Sequence, residues 1–284
     1  MKQINSQHRI ALFTLDSALS NGAVIRFLNR NRDNIRTVIA SNPFRRHGVG
    51  GSKRVLRQFR HSGVRFSLFL AYSFFFFPLL LKANNLLCKL MGRASDFIPI
   101  KAYCRRAAID YHPSDDVNDR QLVRLLRERD IDLIITCFFD QILGSEIISV
   151  PRQACLNVHP GLLPECRGVF PEFHTAAGKC TDFGFTIHAI DDAAIDTGRV
   201  LLKRKVVMSG CNSLLAISRR LLAEGLAALE EVLADLNGRL EQAKVQGAGN
   251  YYSFPTQADV LQIKRSGFVF MGAKDIVEDI SRVR

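Results

Sequence analysis

Acidic residues are almost absent from one part of this 284-residue chain. Between Arg45 and Arg106 the only carboxylate is Asp96, set against thirteen Lys and Arg. The whole chain has 39 basic and 27 acidic side chains, so 26 of each remain elsewhere and the formal charge of +12 resides in this one stretch. A charge spread evenly would serve solubility; a local one points to an anionic partner. Other absences narrow the chemistry. The seven cysteines, Cys88, Cys104, Cys137, Cys155, Cys166, Cys180 and Cys211, are odd in number and contain no C-x-x-C pair. The expectation is therefore free thiols in a reducing cytosol and no disulfide framework. No Cys/His set has zinc-site spacing, so no metal is expected. There is no G-x-x-x-x-G-K-[ST] phosphate loop, and Gly48-Val49-Gly50-Gly51 is too loose for a dinucleotide fingerprint. The opening MKQINSQHR is polar and lacks the apolar region of a signal peptide, which sets a cytoplasmic expectation. No internal repeat is visible, and the Phe run is the one low-complexity tract.

What is present is a chain 47% apolar, enough for a full core. Residues 9–15, 35–40, 131–138 and 153–159 read as short buried strands, with helices over 18–31 and 119–129. Strands alternating with helices predict an α/β fold, a Rossmann-like, mostly parallel sheet with crossover helices. Ligands of such sheets bind beyond the carboxyl ends of strands, and His159 stands at one. Residues 183–190 and 200–207 read as strands flanking the loop DDAAIDTG. A leucine rhythm of i, i+3/i+4 predicts an amphipathic helix over 214–236, with Asn237-Gly238 as its stop. The chain divides into a domain over 1–208, carrying a helical insert at about 50–93, and a C-terminal helix with a short tail over 209–284.

The insert breaks the α/β pattern. Residues 66–81, FSLFLAYSFFFFPLLL, are sixteen positions without a charge. A helix crossing a bilayer needs roughly 20, and this one contains Pro78, so a single span is disfavoured. Lys and Arg on both flanks suit a helix lying in a membrane interface, peripheral at the inner face. The plainer reading is a helical hairpin packed on the domain or on a second copy in a homodimer. Nucleic acid is disfavoured as a partner of 45–106. The basic residues surround greasy Phe and Leu and do not alternate with isolated stacking aromatics.

Two motifs carry chemistry. Asn157-Val158-His159 ends a strand, and residues two apart on a strand point to the same side. An amide beside an imidazole serves acyl transfer, because the amide can steady an oxyanion while the imidazole holds or shuttles a proton near neutral pH. Alone, N-x-H is common. Ile195-Asp196-Thr197-Gly198 reads either as an Asx-type turn closed by Gly198 or as a carboxylate that orients His159 and favours its charged form.

Together, NVHPGLLPECRG followed by TDFGFTIHAIDDAAIDTGRVL is far more specific. This stretch resembles the formyltransferase family, which includes glycinamide ribonucleotide transformylase, methionyl-tRNA formyltransferase and the sugar N-formyltransferases. The family pattern runs N-[IV]-H-x-[SG]-L-L-P, then R-G or P-G, a G-x-T-[IV]-H strand and a D-T-G loop, all present here in order. The resemblance is strong over 130–207, moderate over the first two strands and poor over 50–93. It implies Asn157, His159 and Asp196 as the catalytic trio, 10-formyltetrahydrofolate as co-substrate and no metal. An amine would attack the formyl carbon, Asn157 and a protonated His159 would steady the oxyanion, and Asp196 would position His159 or a water. The pterin pocket would form around Phe138, Phe139, Asp140, Gln141, Ile142 and Leu143, closed by the loop carrying Asp191 and Asp192. Phe138-Phe139-Asp140 departs from the family's small-aromatic-Gly stretch, and Gly161 stands where Ser is frequent. Arg167 and Gly168 either contact an anionic acceptor or pin the loop. His174 is a candidate for the acceptor amine, and His188 reads as structural or as pocket wall.

The resemblance thus implies an N-formyltransferase, and the basic-apolar insert suggests an acceptor amine on an amino sugar, a nucleotide-linked sugar or a lipid-linked metabolite. A methionyl-tRNA formyltransferase is less expected, since few residues follow 214–236 for the C-terminal β-barrel of that enzyme. A formyl-folate hydrolase would keep the same trio. A non-catalytic membrane-surface protein on the same fold is the reading from a different class.

Overall fold

The computed structural model describes residues 8–43 and 51–283, with backbone alone over 51–58. The opening segment, Arg45, Arg46 and Gly48 to Gly50 therefore lie outside the described residues, as do the side chains of Lys53, Arg54 and Arg57.

Short apolar runs form the sheet because alternate residues can be buried on both of its faces. The order begins β1 (Ile10–Thr14), α1 (Asn21–Arg30), β2 (Ile35–Ser41), α2 (Gly51–Ala71), a π-helical turn (Tyr72–Phe76), α3 (Phe77–Leu90) and α4 (Ile100–Ala107). It continues β3 (Asp110–Ser114), α5 (Arg120–Glu128), β4 (Leu133–Cys137), α6 (Ser145–Ile148), β5 (Ala154–His159), β6 (Arg167–Gly168) and α7 (Pro171–Ala176). It ends β7 (Gly184–Ala189), β8 (Val200–Lys205), α8 (Leu214–Ala234), α9 (Leu236–Glu241), β9 (Tyr251–Tyr252), α10 (Gln257–Arg265) and α11 (Ala273–Ser281).

The main sheet runs β3-β2-β1-β4-β5-β7-β8. It is parallel from β3 to β5, while β7 and β8 are antiparallel additions. Chain order reverses between β1 and β4, so a crevice opens at the carboxyl ends of the central strands. β1 shows how both faces are filled. Ile10 and Leu12 join a core with α1, α8 and the insert, whereas Ala11 and Phe13 join a second core under α5 and α6. β3 has no apolar alternation and carries Pro113, which an edge strand tolerates; its sequence, DYHPS, conceals it.

α8 packs on β5, β7 and α1. It can lie close because Gly225 faces β5: a Cβ there would come within 2.7 Å of Val158 Cγ1. Its end differs from expectation. Asn237-Gly238 does not stop it; α8 ends at Ala234 and those two residues sit inside α9. The backbone turns at Asp235, which is the cap shared by both helices.

The insert comprises two helical segments that meet at Gly63, whose φ of 77° is a conformation that glycine tolerates, and the second runs on through the π turn to residue 90. The tail braces this break, with Ser62 Oγ donating to Pro255 O, His61 Nε2 to Phe254 O and Gln257 Nε2 to Arg60 O. Pro78 lies in the first turn of α3 and lacks an N–H, and the π turn just before α3 shifts Phe77 N–H onto Tyr72 O. Ser73 O, left over by that shift, accepts from Ala18 N. Phe66, Phe69, Phe77 and Leu81 enter the main core, each at most 2% exposed. By length and composition Phe59–Leu90 could cross a membrane, yet 33% of its most apolar window is buried inside the protein. Each such side chain contributes about 2 kcal/mol by burial, which leaving the domain would forfeit. Tyr72 Oη and Arg219 Nη2 both donate to the buried Asp279 Oδ2, tying the insert and α8 to α11.

The cysteine expectation is corrected at one pair. Cys166 and Cys180 are disulfide-bonded with Cα atoms 6.1 Å apart, and the other five are free. The residues between them, 14 positions of separation, fold α7 back on its own loop, a proximity that spacing alone does not reveal.

Candidate active site

A cavity of about 870 Å³ opens at the carboxyl ends of β4 and β5. Asn157, His159 and Asp196 all line it. β5 delivers Asn157 and His159 on one side of the strand, and the loop between β7 and β8 brings Asp196 over them. Asp196 is held with φ 54°, as are Phe138 at 50° and Phe170 at 53°. Three of the five non-glycine residues with positive φ among the described residues thus border one cavity, a pattern of backbone strain found at functional sites.

The polar network is closed. Asn157 Oδ1 accepts from Thr136 Oγ1 at 2.7 Å, and Asn157 Nδ2 donates to His188 Nε2 at 3.0 Å and Asp196 Oδ1 at 3.3 Å. The opposite His188 nitrogen, Nδ1, donates to Ala189 O. Asp196 Oδ2 accepts from Gly168 N at 2.8 Å. His159 Nε2 donates to Cys166 O at 2.7 Å, which leaves Nδ1 facing Asp196 Oδ2 at 3.6 Å. That gap is too long for a hydrogen bond. Burial is the largest influence on His159 and lowers its pKa below 6.5, despite Asp196 and the Cys166 carbonyl pulling the other way. In the resting site the His159 imidazole is therefore neutral at pH 7. For Asp196, burial raises the pKa, but the attraction to His159 when that ring is protonated, the His188 contact and the Gly168 N–H outweigh it and hold the carboxyl below its ordinary range.

Phe138, Phe139, Asp140, Gln141, Ile142 and Leu143 line the cavity, as does Asp192. Several also carry structure. Phe139 packs on Phe13, Asp140 Oδ1 accepts from Ser41 Oγ, and Gln141 Nε2 donates to Ser41 Oγ and Ser114 O. Asp191 is not on the cavity; it is paired with Arg199. Arg167 likewise points away and binds Gln246 Oε1 and Gly247 O, so it pins the loop, while Gly168 lines the cavity. His174 is corrected too. It is buried on α7, stacked on Tyr252 with Nε2 bonded to Ser253 O, and does not reach the cavity.

Sequence reading singles out neither Thr136 nor Gln246, and it reads His188 as structural or as pocket wall. Thr136 and His188 are the register partners of Asn157 on β4 and β7, so strand pairing is the signal that finds them. Gln246 Nε2 donates to Asp196 O and Gly198 O, fixing the acidic loop from the tail. Gly168 pairs with Tyr252 across β6 and β9, where a Cβ would meet Tyr252 O at 2.1 Å. The insert reaches the cavity through Ser67, Leu70, Ala71, Phe74 and Phe75.

Glu172 adds a testable electrostatic feature. It lines the cavity, is 1% exposed, and accepts from Ser218 Oγ through Oε1. Burial pushes its carboxyl up to about 7 from the ordinary 4.5, against the pull of the Ser218 bond. Between those two values the folded protein keeps a proton that the unfolded chain has lost, so stability falls as pH rises through the window. The shift corresponds to about 3 kcal/mol. In urea titrations, wild type is expected to lose about that much relative to Glu172→Gln between pH 4.5 and 7. A wild-type-to-variant difference that stays flat with pH would show that Glu172 does not titrate there.

An α/β sheet with a cleft at its topological switch point, bearing an amide, an imidazole and an ionised carboxylate, defines a Rossmann-like protein with the groups of an acyl-transfer site. The chain belongs to the formyl transferase family: the family model "Formyl transferase" matches residues 83–233, just over half of its length. It is 30% identical over 165 residues to a methionyl-tRNA formyltransferase of Geobacter metallireducens, covering 57% of this chain and 53% of that one. The chain spans about half the length of the curated relatives it matches. Among solved structures, a sugar N-formyltransferase from Shewanella sp FDAARGOS_354 superposes with a TM-score of 0.51 at 18% identity, over 90% of this chain and 87% of that one. An N-formyltransferase from Helicobacter canadensis, solved in complex with folinic acid and dTDP-3-aminofucose, gives 0.52 at 12% identity, over 94% and 82%. The two likenesses show the shared fold, a mostly parallel sheet with crossover helices.

Proposed function

We propose that this protein is an N-formyltransferase that moves the formyl group of 10-formyltetrahydrofolate to a primary amine carried by an amino sugar, a nucleotide-linked sugar or a lipid-linked metabolite. The observation that carries the reading is the convergence of Asn157, His159 and Asp196 on one cavity, with Asp196 Oδ2 3.6 Å from His159 Nδ1. The cavity fits a flat heteroaromatic ring. Phe138, Ile142, Leu143, Val169 and Ile190 supply apolar wall, and a few convergent polar groups set orientation. The Helicobacter neighbour, crystallised with a folate and an aminosugar nucleotide, supports both substrate classes.

The donor supplies a formyl carbon already activated toward amines. This chain's residues then manage charge and protons. As the amine nitrogen bonds the formyl carbon, the bond from that carbon to the donor nitrogen breaks. The amine loses one proton and the departing nitrogen gains one. His159 is neutral at rest and can take the amine proton at Nδ1, where Asp196 faces it and stabilises the imidazolium. Asn157 Nδ2 has both hydrogens committed, to His188 and Asp196, and turns one of them to the developing oxyanion. Thr136 holds the amide in the sense that aims Nδ2, not Oδ1, at this centre.

The test is incubation with 10-formyltetrahydrofolate and a panel of amino sugars, polyamines, aminolipids and methionyl-tRNA, read by mass spectrometry for a gain of one formyl unit. The sequence relatives named above keep the tRNA in the panel. A gain on a small amine supports the reading, a gain on methionyl-tRNA alone replaces its acceptor, and formate released without any amine identifies a hydrolase. No reaction with any of them would leave the fold as a non-catalytic one.

A further inference from the structure

We propose that the outward face of the insert docks on an anionic lipid bilayer, and that the acceptor amine is borne by an amphiphile drawn from that bilayer into the cavity. The second half rests on the formyl-transfer reading; the first does not. A surface helix normally turns charge to solvent opposite its buried stripe. Here the stripe opposite Phe66, Phe69, Phe77 and Leu81 is itself apolar. Positions 79, 86 and 90 share one side of α3 and positions 64 and 68 share one side of α2, with Phe75 on the π turn between them. All six are exposed: Leu68 by 62%, Leu86 by 58% and Leu90 by 75%, with Val64, Phe75 and Leu79 between 46% and 53%. An uncovered apolar face of this length marks an interaction surface.

Charge selects the occupant. From residue 59 to 93 there is no Asp or Glu, while Arg60, Arg65, Lys82, Lys89 and Arg93 are interspersed with the stripe along the chain. A second copy meeting the same face isologously would oppose these cations to one another with no carboxylate to relieve them. An anionic headgroup layer neutralises them while its acyl region receives the leucines. The cavity explains what docking would serve. Ser67, Leu70, Ala71 and Phe74 wall it from this same helix, and Phe75 belongs both to that wall and to the exposed stripe. A helix is about 10 Å across, so an amine on a bilayer-anchored amphiphile needs to reach only that far beyond the headgroups.

Flotation of the full chain with vesicles of phosphatidylglycerol and phosphatidylcholine, against phosphatidylcholine alone, tests docking. Wild type is expected to float with the anionic vesicles only, and K82Q/K89Q to bind about 25-fold more weakly, near fivefold for each lost charge. The variant L79Q/L86Q/L90Q alters exposed side chains outside the cavity, so its unfolding midpoint should match wild type. Its KM for an aminosugar glycolipid in those vesicles is expected to rise about tenfold at unchanged kcat, with a soluble amino sugar unaffected. The proposal is overturned if wild type stays unbound at every anionic fraction. It is also overturned if wild type sediments as a dimer that L79Q/L86Q/L90Q dissociates without any vesicle binding. Soluble amine formylated without vesicle binding removes docking alone; vesicle binding with no amine formylated removes the transfer reading and leaves docking.

Discussion

His159→Ala is expected to abolish formyl transfer, with kcat/KM lowered by about 10³-fold or more. The side chain is 4% exposed, anchored through Nε2 to Cys166 O, and has Nδ1 as its only nitrogen left for chemistry. Alanine removes the proton acceptor and leaves Asp196 ionised without the group it faces at 3.6 Å. The measurement is steady-state formylation of whichever amine the panel identifies, on protein shown by circular dichroism to be folded. A loss smaller than about tenfold would mean that the proton leaves by another route. Wild type provides a second readout. Because burial sets the His159 pKa below 6.5, the imidazole stays a competent base as pH drops through that value. kcat/KM should therefore hold level from pH 8 to 6.5 and decline only further into acid. A protonated working imidazole would give the reverse, with activity rising as pH falls.

Asp196→Asn should lower kcat by about 10² to 10³-fold with little change in KM. The substitution keeps the shape and lets the amide oxygen accept from Gly168 N in place of Asp196 Oδ2. What it removes is the negative charge that steadies His159 after proton uptake. With that charge gone, the His159 pKa falls further, and the acid limb of the rate profile is expected to move to lower pH while the plateau drops. A kcat within about threefold of wild type at every pH would show that the carboxylate only closes its turn.

How far the sequence reaches is seen at particular residues. β1, β2, β4 and β5 are legible because short apolar runs with loops at their ends have few alternatives. β3 is not, since an edge strand need not be apolar. β7 and β8 are visible as strands, but their antiparallel sense depends on partners distant in the chain. At the site, Asn157 and His159 share a strand face by period, and Asp196 is visible only through the ordered motif around it. Arg167 stands in the first motif and His174 lies between the two, yet their side chains are claimed by Gln246, Gly247 and Ser253, which the chain supplies some 80 residues later.

The sequence by itself determined the α/β class, the two chemical motifs and the lopsided charge of the insert, because periodicity, residue type and charge are local properties. Tertiary structure alone decided the rest. It set the neutral state of His159, since burial is a property of what packs around a ring. It joined Cys166 to Cys180 and brought Thr136, His188 and Gln246 to the motif residues through strand register and the returning tail. It also chose which side of the insert is spent in the core and which apolar side is left facing out, a choice that a helix greasy on both sides cannot make without its neighbours.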